Sequence, residues 1–128
     1  MKNIYNIWKP FEDIPRTLYC EGIHDDHEGF RILLRENECS PVLRIMFDAV
    51  RSYRNSDEGD LLRTVASIND PGRSSLFKVD NSSWVEWFHE ETFDIHKDRE
   101  IKHFAIYTPN DCIDVLSVFE PKVEWLKP

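Results

Sequence analysis

The residue types best suited to metal chemistry lie in one short run, His24-Asp25-Asp26-His27-Glu28. Imidazoles and carboxylates are ligands that Zn²⁺ and Mn²⁺ accept. Zinc sites of the HExxH kind, however, place two histidines on one face of a helix, whereas both flanks of this run have the pattern of strands. We therefore interpret the run as a solvated acidic hairpin tip and expect no bound metal.

No local pattern indicates a cysteine or histidine nucleophile. Cys20, Cys39 and Cys112 are far apart and form no CxxC pair, which argues against a disulfide framework or a structural zinc site. Cys112 lies in an apolar strand pattern typical of a small buried hydrophobe, and His103 fits a core or cross-strand position. The sequence also contains no glycine-rich phosphate loop and no G-x-S-x-G elbow. We expect no catalytic residue, no cofactor and no enzymatic activity.

The chain carries a strong negative charge. Its 128 residues include 24 Asp and Glu against 16 Lys and Arg, a net charge of −8. This balance disfavours nucleic acid or an anionic membrane surface as a partner, because both are themselves negative. Hydrophobic residues make up 41% of the chain, enough for a folded core, and the length suits a single globular domain over 1–128. Because no long apolar run or signal-peptide pattern is present, we expect a cytoplasmic protein.

Hydrophobic patterning predicts the elements that position these residues. Alternation of apolar residues predicts strands at 17–23, 30–35, 42–53, 76–79, 101–107, 112–119 and 123–126. A first helix is expected to begin at Asp57 and to end at 69–72, and a capping box at Ser83 opens a second. Along one side of the second helix lie Trp84, Trp87, Phe88 and Glu91. This order favours an α+β fold, a largely antiparallel sheet with two helices packed on it.

Several segments from Tyr53 onward resemble a known class of proteins. They are 53–55, 57–60, 77–82, 103–104 and 107–116. In this ordering the chain resembles small acidic bacterial proteins that are similar to immunity proteins of polymorphic toxin and contact-dependent growth inhibition systems. The resemblance implies a cytosolic protein that neutralises one toxin domain, and it carries over no catalytic residue.

The acidic charge leads to the same expectation independently. A nuclease toxin needs a basic cleft to hold phosphates, and an acidic protein can fill that cleft and be steered to it electrostatically. We therefore expect a cognate toxin, a basic nuclease domain, as the partner, bound through its active site. The expected contact residues are Asp25, Asp26 and Glu28 first, then Asp57, Glu58, Asp60, Glu90 and Glu91.

Two other functions are compatible with the sequence. One is a small metal-dependent enzyme that uses His24, His27 and nearby carboxylates. The other is a scaffold that self-associates through an exposed strand edge or the face of the second helix that carries Trp84 and Phe88.

Overall fold

The computed structural model describes residues 3–68, 70 and 73–127. Within these ranges lie nine strands: β1 (Ile4–Ile7), β2 (Tyr19–Asp26), β3 (Gly29–Arg35), β4 (Val42–Phe47), β5 (Val50–Asp57), β6 (Leu76–Asp80), β7 (Lys102–Tyr107), β8 (Asp111–Ser117) and β9 (Lys122–Leu126). The same ranges contain a 3₁₀ turn (Glu58–Asp60) and two helices, α1 (Leu62–Ser67) and α2 (Ser83–Glu91). Neither helix has the length and apolar content that crossing a bilayer requires.

The strands form two antiparallel sheets. One has five strands in the order β1-β6-β7-β8-β5, and the other has four in the order β2-β3-β4-β9. Strands β2 and β3 form a hairpin in which Asp26 pairs with Gly29, and its tip is the predicted polar run. Every strand pair described in either sheet is antiparallel.

Alternating side chains build the core between the two sheets. On β3 the buried residues are Phe30, Ile32 and Leu34, and on β4 they are Leu43, Ile45 and Phe47. They form one cluster with inward-facing residues of the other sheet, which are Phe104, Ile106, Ile113 and Val115. Successive strand residues point to opposite faces. The sheets therefore bury one face of each strand against the other sheet.

The opposite face of the five-stranded sheet contacts the helices. Tyr107 and Cys112 form a cluster against which Val65 of α1 packs. Leu116 forms another cluster with Trp84 and Phe88 of α2. Burial on both faces explains why β7 and β8 are buried at almost every position, since a central strand covered on both sides has no solvent face.

The predicted fold class is correct in its coarse features and incomplete in its detail. The chain is a mixed fold with antiparallel pairing, as expected, but it is mostly sheet and its strands divide between two sheets rather than forming one. The predicted strand 42–53 is wrong as a single element. Alternation ends at Phe47, and after a bend at Asp48 and Ala49 the chain enters β5, which belongs to the other sheet.

The helix boundaries also differ from the prediction. The cap of α2 is Ser82 rather than Ser83, because Ser82 accepts a hydrogen bond from the backbone N–H of Val85. Asp57 caps the 3₁₀ turn, and α1 begins later with no side-chain cap. Trp87 does not join the buried side of α2, since it is 45% exposed. Part of the predicted end of the first helix, 69–72, lies outside the described residues.

Candidate functional site

The hairpin tip is largely neutralised by its own strand. Asp26 accepts hydrogen bonds from Nη1 of Arg31 at 2.8 Å and from the backbone N–H of Glu28 at 2.9 Å. These contacts, the arginine first, hold the pKa of Asp26 below its usual value. Glu28 lies 4.0 Å from the same guanidinium. Two of the three hairpin acids that were predicted first as partner contacts therefore already have a cation beside them.

In the part of the chain that the structure describes, His24 and His27 of the hairpin do not form a metal-binding arrangement. His24 lies in β2 opposite Arg31, and His27 lies in the two-residue loop that follows. Nowhere in residues 3–68, 70 and 73–127 do three or more His, Cys, Asp or Glu side chains converge as metal ligands do.

The third acid of the hairpin, Asp25, joins the hairpin to the other sheet. The Tyr53 hydroxyl on β5 lies near Asp25, and burial followed by the charge of this carboxylate raises the pKa of Tyr53. The ring of Tyr53 packs against Phe30, with ring centroids 4.4 Å apart. Tyr53 nonetheless remains 40% exposed. The structure thus places Asp25 at the edge where β2 faces β5.

Two further carboxylates oppose each other at the end of that edge. Asp57, the last residue of β5, is the direct cross-strand partner of Asp111 on β8. Like charges in directly opposite positions destabilise a sheet. The charge of Asp111 also acts on a neighbouring thiol, since burial and then Asp111 raise the pKa of Cys20 on β2. The sequence prediction missed Asp111, because its importance arises only from its register with Asp57.

We call Asp25, Asp57 and Asp111 the acidic strip. Asp57 shares a face of β5 with Tyr53, four residues and about 13 Å along the strand, so the strip follows one open edge of the molecule. Among the described residues, none of these three carboxylates forms a salt bridge. Asp60 next to the strip is exposed, whereas Glu58 lies 4.0 Å from Arg73.

The remaining predicted contacts lie elsewhere. Glu90 and Glu91 are exposed at the end of α2, and α2 packs against Leu116. Leu116 and Asp111 are five positions apart on β8 and point to opposite faces of the sheet. The structure therefore places Asp25 and Asp57 at separate points along one edge, and Glu90 and Glu91 on the other side of the five-stranded sheet.

A second polar constellation lies beneath α2, and all of its members except Arg54 are buried. Asp114 on β8 is fully buried and accepts hydrogen bonds from His103 Nε2 at 2.7 Å, from the Tyr107 hydroxyl at 2.9 Å and from Arg54 Nε at 3.2 Å. His103 Nδ1 lies 2.8 Å from Ser82 Oγ. A carboxylate only accepts hydrogen bonds. His103 therefore donates through Nε2, and in the neutral ring its Nδ1 accepts from the serine hydroxyl.

The order Ser82, His103, Asp114 matches the hydrogen-bonded chain of a serine hydrolase. Access and competing contacts limit what this chain can do. The side chains of His103 and Asp114 are fully buried, and Ser82 Oγ also accepts the backbone N–H of Val85 as the helix cap. The imidazole is turned so that Nδ1, not Nε2, faces the serine. The geometry favours a positioning role: the chain fixes Asp114, and Asp114 fixes Arg54.

One signal in the sequence pointed to this network. Asp114 stands in the middle of the apolar strand Cys112 to Leu116, and a buried carboxylate requires partners. Its partners come from β5 and β7, and Ser82, the cap of α2, bonds in turn to His103. They could not be identified from spacing, because strand order and register bring them together.

Alkaline pH is expected to weaken the fold through Cys112. Burial, followed by the nearby carboxylates of which Asp114 is the largest contributor, raises the pKa of Cys112 to about 12, against about 8.5 in an unfolded chain. Above about pH 8.5 the unfolded state loses this proton while the folded state keeps it, so stability falls as pH rises. Urea unfolding in reducing buffer should show this loss, and Cys112→Ala should reduce its slope between about pH 8.5 and 10.

The exposed Cys39 offers the matched control for this experiment. Cys39→Ala should leave the pH dependence unchanged. A Cys112→Ala protein that loses stability in parallel with the wild type over that window would contradict the assignment.

Comparison with known proteins adds no relative. No family model matches the chain, and searches of curated proteins and of solved structures also give no match.

Proposed function

We propose that this protein is a bacterial immunity protein that binds a basic toxin domain and blocks its active site. The observation that carries the proposal is the pairing of Asp57, on the edge strand β5, with Asp111 opposite it on β8, neither of which has a salt-bridge partner among the described residues. Two like charges held opposite each other are unfavourable in the free protein, and a cationic surface of a partner would relieve this repulsion.

The surroundings of the pair support a protein partner. Asp25 and the half-exposed ring of Tyr53 continue the same edge, and tyrosine is enriched among the residues that dominate binding energy at protein interfaces. The net charge of −8 would steer a basic domain toward the strip and raise the association rate. A nuclease is the expected class of toxin, because its phosphate-binding cleft is basic.

Co-expression with the toxin tests this proposal. If a gene encoding a secreted protein with a C-terminal toxin domain lies beside the gene for this chain, that domain should stop bacterial growth when expressed alone. Co-expression of this protein should restore growth, and the two should purify as an equimolar complex that dissociates as salt rises. Growth arrest that persists in the presence of well-folded protein, with no complex formed, would overturn the proposal.

A further inference from the structure

Arg54 is held rigidly from two sides. Its Nε donates to the fully buried Asp114 at 3.2 Å, and Asp114 is itself fixed by His103 and Tyr107. The guanidinium carbon lies 4.3 Å from the centre of the Trp84 ring, a cation–π distance. A guanidinium fixed in this way loses little conformational entropy when it binds a further group.

The terminal nitrogens of Arg54 have unused donor capacity. Neither Nη1 nor Nη2 donates a hydrogen bond to any residue that the structure describes, and the side chain is 49% exposed. The cations of the neighbouring cleft beside Ser82 differ in this respect. There Lys78 is bonded to Glu120 and Lys102 to Glu100, each at 3.0 Å.

Arg54 lines a shallow, open cleft of about 410 Å³ together with Ser83, Trp84 and Trp87. Trp87 presents an indole that is 45% exposed. Ser83 is the first residue of α2, where the helix dipole adds a partial positive charge. A few polar groups placed among aromatic side chains are typical of small-ligand sites, and the open shape leaves part of a bound ligand in solvent.

We infer that this cleft is a binding site for a carboxylate carried on an aromatic group. Two parallel N–H donors of a guanidinium match the two oxygens of a carboxylate, and the exposed indole of Trp87 offers a flat surface for an attached ring. A single negative charge fits better than the double charge of a phosphate, because Asp114 already shares the guanidinium and repulsion grows with ligand charge. The carboxylate can belong to a free aromatic acid or to the C-terminus of a polypeptide.

Titration of the isolated protein, followed by two-dimensional amide NMR, tests the site with three probes: benzoate, benzamide and phenyl phosphate. Benzoate should shift the indole N–H of Trp87 and the amide of Ser83, with millimolar or tighter affinity. Benzamide, which has the same shape without the charge, should bind at least about tenfold more weakly. Equal binding of benzamide, or tighter binding of phenyl phosphate, would overturn the assignment. Because no toxin is present, the result is independent of the proposed function.

Variants of two arginines on one strand locate the site. Arg54→Gln should weaken benzoate binding by about tenfold or more. Arg54→Lys should weaken it severalfold, because an ammonium group lacks the two parallel N–H donors of a guanidinium. Arg51→Gln removes the same charge from an exposed position of β5 outside the cleft and should leave binding unchanged. Equal effects of Arg51→Gln and Arg54→Gln would show that only net charge matters and would overturn the site.

A third variant and a pair of peptides complete the test. Trp87→Ala, at an exposed position of α2, should reduce benzoate affinity to that of acetate. A short peptide ending in phenylalanine should bind with a free C-terminus and not with an amidated one. Tighter binding of the free peptide than of benzoate would identify a polypeptide terminus as the source, and weaker binding would identify a free acid. Absence of binding for both benzoate and the free peptide would overturn the inference.

Discussion

Replacement of Asp114 by alanine is expected to destabilise the fold by about 3–4 kcal/mol, because removal of one partner of a buried charged network leaves the others unpaired. The variant would leave His103 Nε2 and the Tyr107 hydroxyl buried without an acceptor. Arg54 loses less, since its side chain is 49% exposed and water can replace the carboxylate. Urea unfolding followed by tryptophan fluorescence measures the change. The melting temperature should fall by about 10 °C or more.

Asp111 provides the matched control on the same strand. Asp111→Ala removes the same group, but this residue opposes Asp57 rather than a donor. We expect it to be neutral or to stabilise the protein by about 0.2–1 kcal/mol, because a like-charge pair is relieved. Asp114→Asn should fall between the two alanine variants, since one of its two acceptors becomes a donor that faces other donors. Equal effects of Asp114→Ala and Asp111→Ala would show that the network is not a structural element.

Local patterns in the sequence predicted most strands but not their partners. Phe30, Ile32 and Leu34 alternate as a half-buried strand must, and the structure confirms them in β3. The same alternation could not show that the chain changes sheets after Phe47, because it encodes which face is buried and not which strand lies beside it. The sequence did not predict strand β1. Its apolar residues Ile4 and Ile7 are about half exposed on an edge strand, so β1 lacks the alternation of a half-buried strand.

The candidate site was predictable in composition and not in arrangement. Acidic clusters are visible in the sequence, but whether a given carboxylate is neutralised depends on register. Asp26 is close to Arg31 because the hairpin pairs their neighbours, whereas Asp57 meets Asp111, an acid that no cluster in the sequence had singled out. The resemblance to immunity proteins names a role and remains a prediction, which the charge experiments address directly.

Neutralising the acidic strip should slow association with the proposed toxin partner by about tenfold to a hundredfold at low salt. A triple variant with asparagine at each position of the strip changes the net charge from −8 to −5 and keeps the side-chain size. Its substitutions are Asp25→Asn, Asp57→Asn and Asp111→Asn. Asparagine also caps a helix turn as well as aspartate does, so the cap at Asp57 is retained. Stopped-flow association rates measured over a salt series give the effect. It should shrink at high salt, where the screening length falls to about 3 Å.

A charge-matched variant separates the position of the charges from their number. Glu28→Gln, Glu90→Gln, Glu91→Gln also reaches −5, but it removes one acid beside Arg31 and two at the end of α2. If the strip is the binding edge, this variant should associate nearly as fast as the wild type, because steering depends on local potential and not on net charge alone. If both variants slow association equally, the net negative charge and not the position of the strip determines the association rate. If the glutamine variant slows association more than the asparagine variant, the interface lies at the hairpin tip or at α2, both of which the sequence analysis predicted as contact regions.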